Sequence, residues 1–249
     1  MCGIVGAIGD PINESALKTF HTAFYLNELR GGDGCGIMSM SAVGGAGIKR
    51  IGMPDVYKDH EATSDYLQTG KDYEEITKFS SGKRVIIGHA RAATKGILNN
   101  DNTQPIIAEH IFGVMNGTLK GERWNKNEEV SDSNFLFDAI REEGPLPVLE
   151  AIKDEPYALV WVDALEDKVF MIRSKDRPMS ILKTTSDSLL FASDYNFLDF
   201  SARFHKATIE KNGLFTVEPN VLIVWDLKAN FVSRPEFVGD PKEYFGKKQ

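Results

Sequence analysis

The sequence predicts an α/β layered domain whose sheet content is largely antiparallel, and three observations carry that expectation. Short runs rich in β-branched and aromatic residues recur from end to end, bounded by Gly, Asp, Asn or Ser, as strands buried in a layered sheet are. Only a few stretches carry the period of a buried helical stripe. No internal repeat, low-complexity tract or linker divides the 249 residues, so they read as one domain.

Ile4–Ile8 is the first predicted strand, followed by Gly36–Met40, Val85–His89 and Ile111–Met115. Ala158–Val162, Val169–Arg173, Ile181–Lys183, Leu189–Ala192, Leu214–Val217 and Val221–Trp225 complete the set. A helix is expected over Ala16–Leu29, where Leu17, Phe20 and Phe24 recur at i, i+3, i+7. Phe135, Leu136, Ala139 and Ile140 do the same in a second, Ser133–Glu143. Pro147–Lys153 and Glu61–Phe79 are weaker helical patterns.

Composition narrows the function. The hydrophobic share of 42% supports a buried core without staples, and a formal net charge of −7 argues against nucleic acid or anionic membrane as partners. The two cysteines allow at most one bridge and form no CxxC pair, which speaks against cysteine-held zinc; no metal or cofactor is expected. The opening residues have no basic n-region, and no window reaches about 18 apolar residues. The myristoylation pattern fails because the first glycine is Gly3, with Cys2 in the place that pattern reserves for glycine. A cytoplasmic protein with reduced thiols is the expectation.

Three clusters break the apolar rhythm: Arg30-Gly31-Gly32-Asp33-Gly34-Cys35-Gly36, Gly88-His89-Ala90-Arg91-Ala92-Ala93-Thr94-Lys95-Gly96, and Asn116-Gly117 after a strand. Each has an ordinary structural reading. Asn-Gly is a strong hairpin signal, the glycines suit a tight loop, Asp132 suits a helix N-cap, and Cys35 suits a small buried filler. Their joint occurrence invites a chemical reading. If Met1 is removed, Cys2 carries a free α-amine of reference pKa ~7.7–8.0 beside a thiol of ~8.5, a nucleophile and its base in one residue. Asn116 and Gly117 offer side-chain and backbone N–H groups for an oxyanion hole. Arg91 suits a bidentate grip on a carboxylate and Asp132 an ammonium, together the two ends of a free amino acid.

These residues resemble, in order, the class II glutamine amidotransferases, the N-terminal-nucleophile (Ntn) hydrolase glutaminases found in glucosamine-6-phosphate synthase, amidophosphoribosyltransferase and asparagine synthetase. Cys2-Gly3-Ile4-Val5-Gly6 looks like their catalytic start. Arg30–Gly36 is similar to their RG-x-D-[SG]-x-G loop, and Gly88–Thr94 to their GH-[TS]-R-[WY]-[AS]-T segment. Gln104-Pro105 falls where they often carry His-Pro, Met115-Asn116-Gly117 matches [HF]-N-G, Ser131-Asp132-Ser133 matches their acidic element, and Phe191–Asp194 resembles a late strand end. The likeness spans roughly residues 2 to 230. Ala92 stands where the family usually has an aromatic residue, and Gly32 replaces a larger one.

The resemblance implies an α+β fold, a four-layer αββα sandwich of two antiparallel sheets (the Ntn hydrolase fold), over residues 2–235, with 236–249 as a short polar tail. It implies hydrolysis of the L-glutamine side-chain amide through a Cys2 γ-glutamyl thioester. Carried over, Cys2 is nucleophile and its amine the base; Asn116 and Gly117 form the oxyanion hole. Arg91, with Thr94 nearby, holds the α-carboxylate and Asp132 the α-ammonium, while Arg30 and Gly31 sit close to the nucleophile. The family generally continues into an ammonia-consuming domain, so a separate synthase subunit is the expected partner. A stand-alone amidohydrolase acting on another γ-glutamyl amide, or a non-catalytic regulatory relative, are the alternatives.

Overall fold

A computed structural model describes residues 2–41, 44–52, 83–228 and 235–246. The expected helix over 61–79 lies outside them. One sheet contains, in spatial order, β11 (Ile209–Thr216), β9 (Ser180–Thr184), β10 (Leu189–Ala192), β1 (Gly3–Ile8), β4 (Lys83–Arg91), β2 (Gly34–Ser41) and β3 (Gly44–Ile51). The other runs β13 (Glu236–Val238), β12 (Leu222–Asp226), β8 (Lys168–Arg173), β7 (Tyr157–Asp163), β6 (Ile111–Gly117) and β5 (Ile106–Ala108). Every neighbouring pair is antiparallel.

Alternation along each strand divides the core into three slabs. On β1, Ile4 and Ile8 join Val85, Ile87, Val114, Val160 and Phe191 between the two sheets, whereas Val5 and Ala7 face the opposite way with Phe20 and Phe24. Those two phenylalanines belong to α1 (Glu14–Leu26), which packs with α4 (Tyr195–Phe204) over the first sheet. Burying each ring contributes about 1.5–3 kcal/mol. The outer face of the second sheet is covered by α2 (Asp132–Glu143), α3 (Pro145–Ala151) and α5 (Pro241–Phe245), with Phe137, Trp161 and Phe170 in the slab beneath. The order helix, sheet, sheet, helix is the four-layer αββα sandwich.

Caps fix the helix starts. The Asn13 side chain accepts the Ala16 N–H at 2.9 Å, and Asp194 accepts those of Asn196 and Phe197. Within 236–249, expected as a polar tail, the described residues 236–246 form two elements: β13 extends the second sheet and α5 buries Phe245 against Phe170 at a ring separation of 5.5 Å. Val238 and Phe245 are buried in the outer slab of the second sheet, with Tyr244 packed against it. No helix among the described residues is long and apolar enough to cross a membrane.

Candidate active site

Cys2 precedes β1 by one residue, on the inter-sheet side with Ile4. Gly3 pairs with Ala90, and one further step of that register sets Cys2 opposite Arg91, the last residue of β4. The Cys2 Sγ accepts the Ala92 N–H at 3.4 Å and lies 3.5 Å from the Ala92 carbonyl. Its backbone is pinned as well. Arg30 Nε donates to the Cys2 carbonyl at 3.1 Å, while Arg30 Nη1 pairs with Asp194 Oδ2 at 2.8 Å. Ser193 exchanges hydrogen bonds with both backbone groups of Ile4, each at 2.9 Å. Burial pushes the Cys2 thiol pKa up, opposed by the Ala92 N–H and the charge of Arg91.

Gly31 is set hard against the end of β4. A Cβ there would lie 2.4 Å from the Arg91 carbonyl carbon and 2.6 Å from the Ala92 nitrogen, so only glycine allows the approach. Asp33 locks the same segment by accepting the Ala93 N–H at 2.8 Å and donating its own N–H to the Arg91 carbonyl.

The Arg91 guanidinium is almost wholly buried and donates to the carbonyls of Lys95 at 2.6 Å and Ile97 at 3.3 Å. Desolvation lowers its pKa; the charges of Cys2, Asp33 and Asp132 act against that. The Thr94 hydroxyl meets that of Thr118 at 3.0 Å, beyond the end of β6. Asp132 is the first residue of α2, with Ser131 rather than Asp132 at the N-cap. Its carboxylate accepts the N–H groups of Leu119 at 2.8 Å and Ser133 at 2.9 Å. Burial raises its pKa and those two bonds restrain the rise.

Asn116 and Gly117 close β6 and pair with Ala158 and Tyr157, so they form a strand end and not a hairpin turn. Asn116 shares the inter-sheet side with Val114. Its side-chain nitrogen is buried and has no protein partner among the described residues. A Cβ on Gly117 would meet the Pro156 carbonyl oxygen at 2.5 Å. His89, two residues before Arg91, donates from Nε2 to the Met115 carbonyl at 3.2 Å and so ties β4 to β6 across the sandwich. Its pKa is pushed down to about 3 by burial, which keeps the ring neutral. Cys2, Arg30, Gly31, Arg91, Asn116, Gly117 and Asp132 thus gather at one end of the two sheets. Three supports have no role in the sequence reading: Asp194, Asp33 and Gln104. Asp194 carries only a partial signal, an Asp directly before Tyr195–Phe204, because exposed Phe200 and Phe204 blur the stripe of that helix.

No family model matches the chain. Among curated proteins it is 27% identical over 205 residues to a glutamine–fructose-6-phosphate aminotransferase of Methanococcus maripaludis, covering 76% of this chain and 31% of that one. It is 26% identical over 249 residues to a chloroplastic amidophosphoribosyltransferase of Vigna aconitifolia, covering 90% and 45%. The chain is a homologue of the class II glutamine amidotransferases. It spans less than half the length of either relative. The fold agrees: the glutamine phosphoribosylpyrophosphate amidotransferase of B. subtilis superposes with a TM-score of 0.59 at 19% identity, over 96% of this chain and 54% of that one. An allosteric regulatory enzyme of purine biosynthesis gives 0.60 at 20% identity, over 90% and 47%. Within this amidotransferase homologue, the Ala92 contact to the sulfur uses the backbone N–H, which the loss of an aromatic side chain leaves in place.

Proposed function

We propose that this chain hydrolyses the side-chain amide of L-glutamine to glutamate and ammonia, with Cys2 as nucleophile, and that the ammonia is supplied to a synthase. The observation that carries the reading is the Asn116 side-chain nitrogen, buried on the inter-sheet side at the end of β6 and without a protein partner among the described residues. A buried N–H left unpaired costs about 1–3 kcal/mol, and an oxyanion developing on the substrate would recover it only as reaction proceeds.

Removal of Met1 frees the α-amine of Cys2. That amine takes the thiol proton as the sulfur attacks the amide carbon, forming a C–S bond and placing negative charge on the carbonyl oxygen. Asn116 Nδ2 and the Gly117 N–H donate to that oxygen. Collapse of the tetrahedral species breaks the C–N bond, and the proton held by the amine goes to the departing ammonia. Water then attacks the γ-glutamyl thioester, giving its proton to the amine, and expulsion of the sulfur releases glutamate and restores the thiol.

Substrate ends are held by charge. Arg91, bonded to the 95–97 segment through part of its fork, retains N–H groups for the α-carboxylate, and Asp132 keeps a buried negative charge for the α-ammonium. Thr94 lies at the carboxylate end. Arg30 and Gly31 set the Cys2 backbone and the Ala92 N–H. Both cysteines are free, which suits a reducing compartment and supports a cytoplasmic location. The test is glutamine turnover with intact mass. A mature mass lacking Met1, activity abolished in Cys2→Ala, and a higher kcat/KM for glutamine than for other γ-glutamyl amides are expected. Preference for another γ-glutamyl amide would replace glutamine as substrate, and activity surviving in Cys2→Ala would refute the mechanism.

A further inference from the structure

The ladder between β5 and β6 stops short of the site. Its last pair toward the site is Ile106 with Gly113, and two more steps in that register would set residue 104 opposite Met115. No strand continues there. Instead, the Gln104 side chain takes the place of a neighbouring peptide. Its Oε1 accepts the Met115 N–H at 2.5 Å, and its Nε2 donates to the Met115 carbonyl at 3.2 Å. The same Nε2 donates to Ser133 Oγ at 2.9 Å, in the first turn of α2. The reversed amide orientation would set N–H against N–H and carbonyl against carbonyl, so the hydrogen-bond pattern fixes which end is which.

Gln104 is also enclosed from the other sheet. A Cβ on Gly36 of β2 would lie 2.2 Å from the Gln104 carbonyl oxygen, so the backbone of residue 104 rests directly on that strand. The side chain is almost entirely buried. One residue is therefore wedged between β2, β6 and the start of α2. Met115 immediately precedes Asn116, and Ser133 immediately follows Asp132.

We infer that Gln104 is a positioning residue for glutamine hydrolysis: its amide clamps both backbone groups of Met115 to aim Asn116 at the oxyanion, and through Ser133 sets the helix start that carries Asp132. The inference rests on the proposed function above. Two arms of one side chain would serve two phases of the reaction. The Met115 arm acts on charge that develops in the transition state, so its loss falls on kcat. The Ser133 arm acts on a group that holds the ground-state substrate, so its loss falls on KM.

The experiment compares Gln104→Met, Gln104→Glu and Ser133→Ala in the full chain. Kinetic constants are normalised to sites titrated by a thiol-alkylating glutamine analogue, and amide exchange at Met115 is followed in parallel. Gln104→Met keeps volume but loses all three bonds. It is expected to lower kcat per titrated site about 10- to 100-fold, to raise KM, and to speed exchange of the Met115 N–H. Gln104→Glu retains the acceptor but not the donor and is expected to be at least as impaired. Ser133→Ala is expected to raise KM several-fold with kcat within twofold of wild type. A purely structural role would lower the fraction of titratable sites while leaving kcat per site unchanged, and that result overturns the inference while the proposed function stands. Wild-type protein that turns over neither glutamine nor another γ-glutamyl amide would remove both.

Discussion

The ion pair between Arg30 and Asp194 anchors the residue on which the proposed chemistry depends. Their charged atoms are 2.8 Å apart, with side chains 11% and 22% exposed. At an effective dielectric near 20 the gross attraction is about 6 kcal/mol. Desolvation of both groups and the ordering of a long side chain offset most of it, leaving a coupling of about 1–3 kcal/mol. The cycle uses Arg30→Met and Asp194→Asn. Asparagine is a good N-cap, so the second change removes the charge but keeps an acceptor for the Asn196 and Phe197 N–H groups at the start of α4. Urea unfolding of the wild type, both single variants and the double variant gives the coupling, and glutamine turnover gives its functional share. Arg30→Met also loses the bond to the Cys2 carbonyl, so kcat is expected to fall at least tenfold. A coupling below about 0.3 kcal/mol, or an unchanged kcat in Arg30→Met, would refute the idea that this pair holds the nucleophile in place.

Asn116→Ala is expected to lower kcat by roughly 10²–10³ with little change in KM and a Tm near that of wild type, because its side-chain nitrogen makes no hydrogen bond to the described residues; steady-state kinetics and a melting curve check both halves. Gly31→Ala forces a Cβ against the backbone of Arg91 and Ala92, so it should cost about 1–3 kcal/mol in urea unfolding and loosen the N–H held on the Cys2 sulfur. An Ala variant as stable and active as wild type would contradict the close approach. His89 has a folded pKa of about 3, below its ordinary value of 6.5. Its contribution to stability is therefore fully present above pH ~6.5 and is lost as pH falls toward 3, at about 1.4 kcal/mol per pH unit. His89→Gln, which keeps a donor for the Met115 carbonyl, should flatten that part of the stability–pH curve.

Much of this arrangement is legible in the sequence where burial is complete on both faces. The predicted strands cover β1, β2, β4, β6 to β10 and β12 and part of β11, because β-branched runs bounded by turn residues have few other solutions in a layered domain. β3 escapes that reading: Gly44–Ile51 is an edge strand dominated by glycine in its first half and carries no apolar run. β5 and β13 have three residues each, too short for a period to register. α4 escapes it too, although Leu198, Ser201 and Ala202 form its buried face, because exposed Phe200 and Phe204 blur the stripe. The candidate site residues Cys2, Arg91, Asn116 and Asp132 stand out in the sequence through their motifs. Asp33, Gln104 and Asp194 lie in such stretches too, but their supporting contacts are not legible there. A glutamine that stands in for a missing strand, or an aspartate that caps a helix while pairing with a distant arginine, acts through contacts between segments far apart in the chain. Nothing in the local sequence marks those contacts.

In the proposed reaction Cys2, with Met1 removed, carries the γ-glutamyl group. Rapid-quench intact-mass measurement during glutamine turnover detects that species. A transient γ-glutamyl adduct is expected on Cys2 of a chain lacking Met1, with no adduct in Cys2→Ala. Turnover of glutamine by a chain that retains Met1, or with no adduct on Cys2 under conditions that trap thioesters, would contradict the proposed reaction.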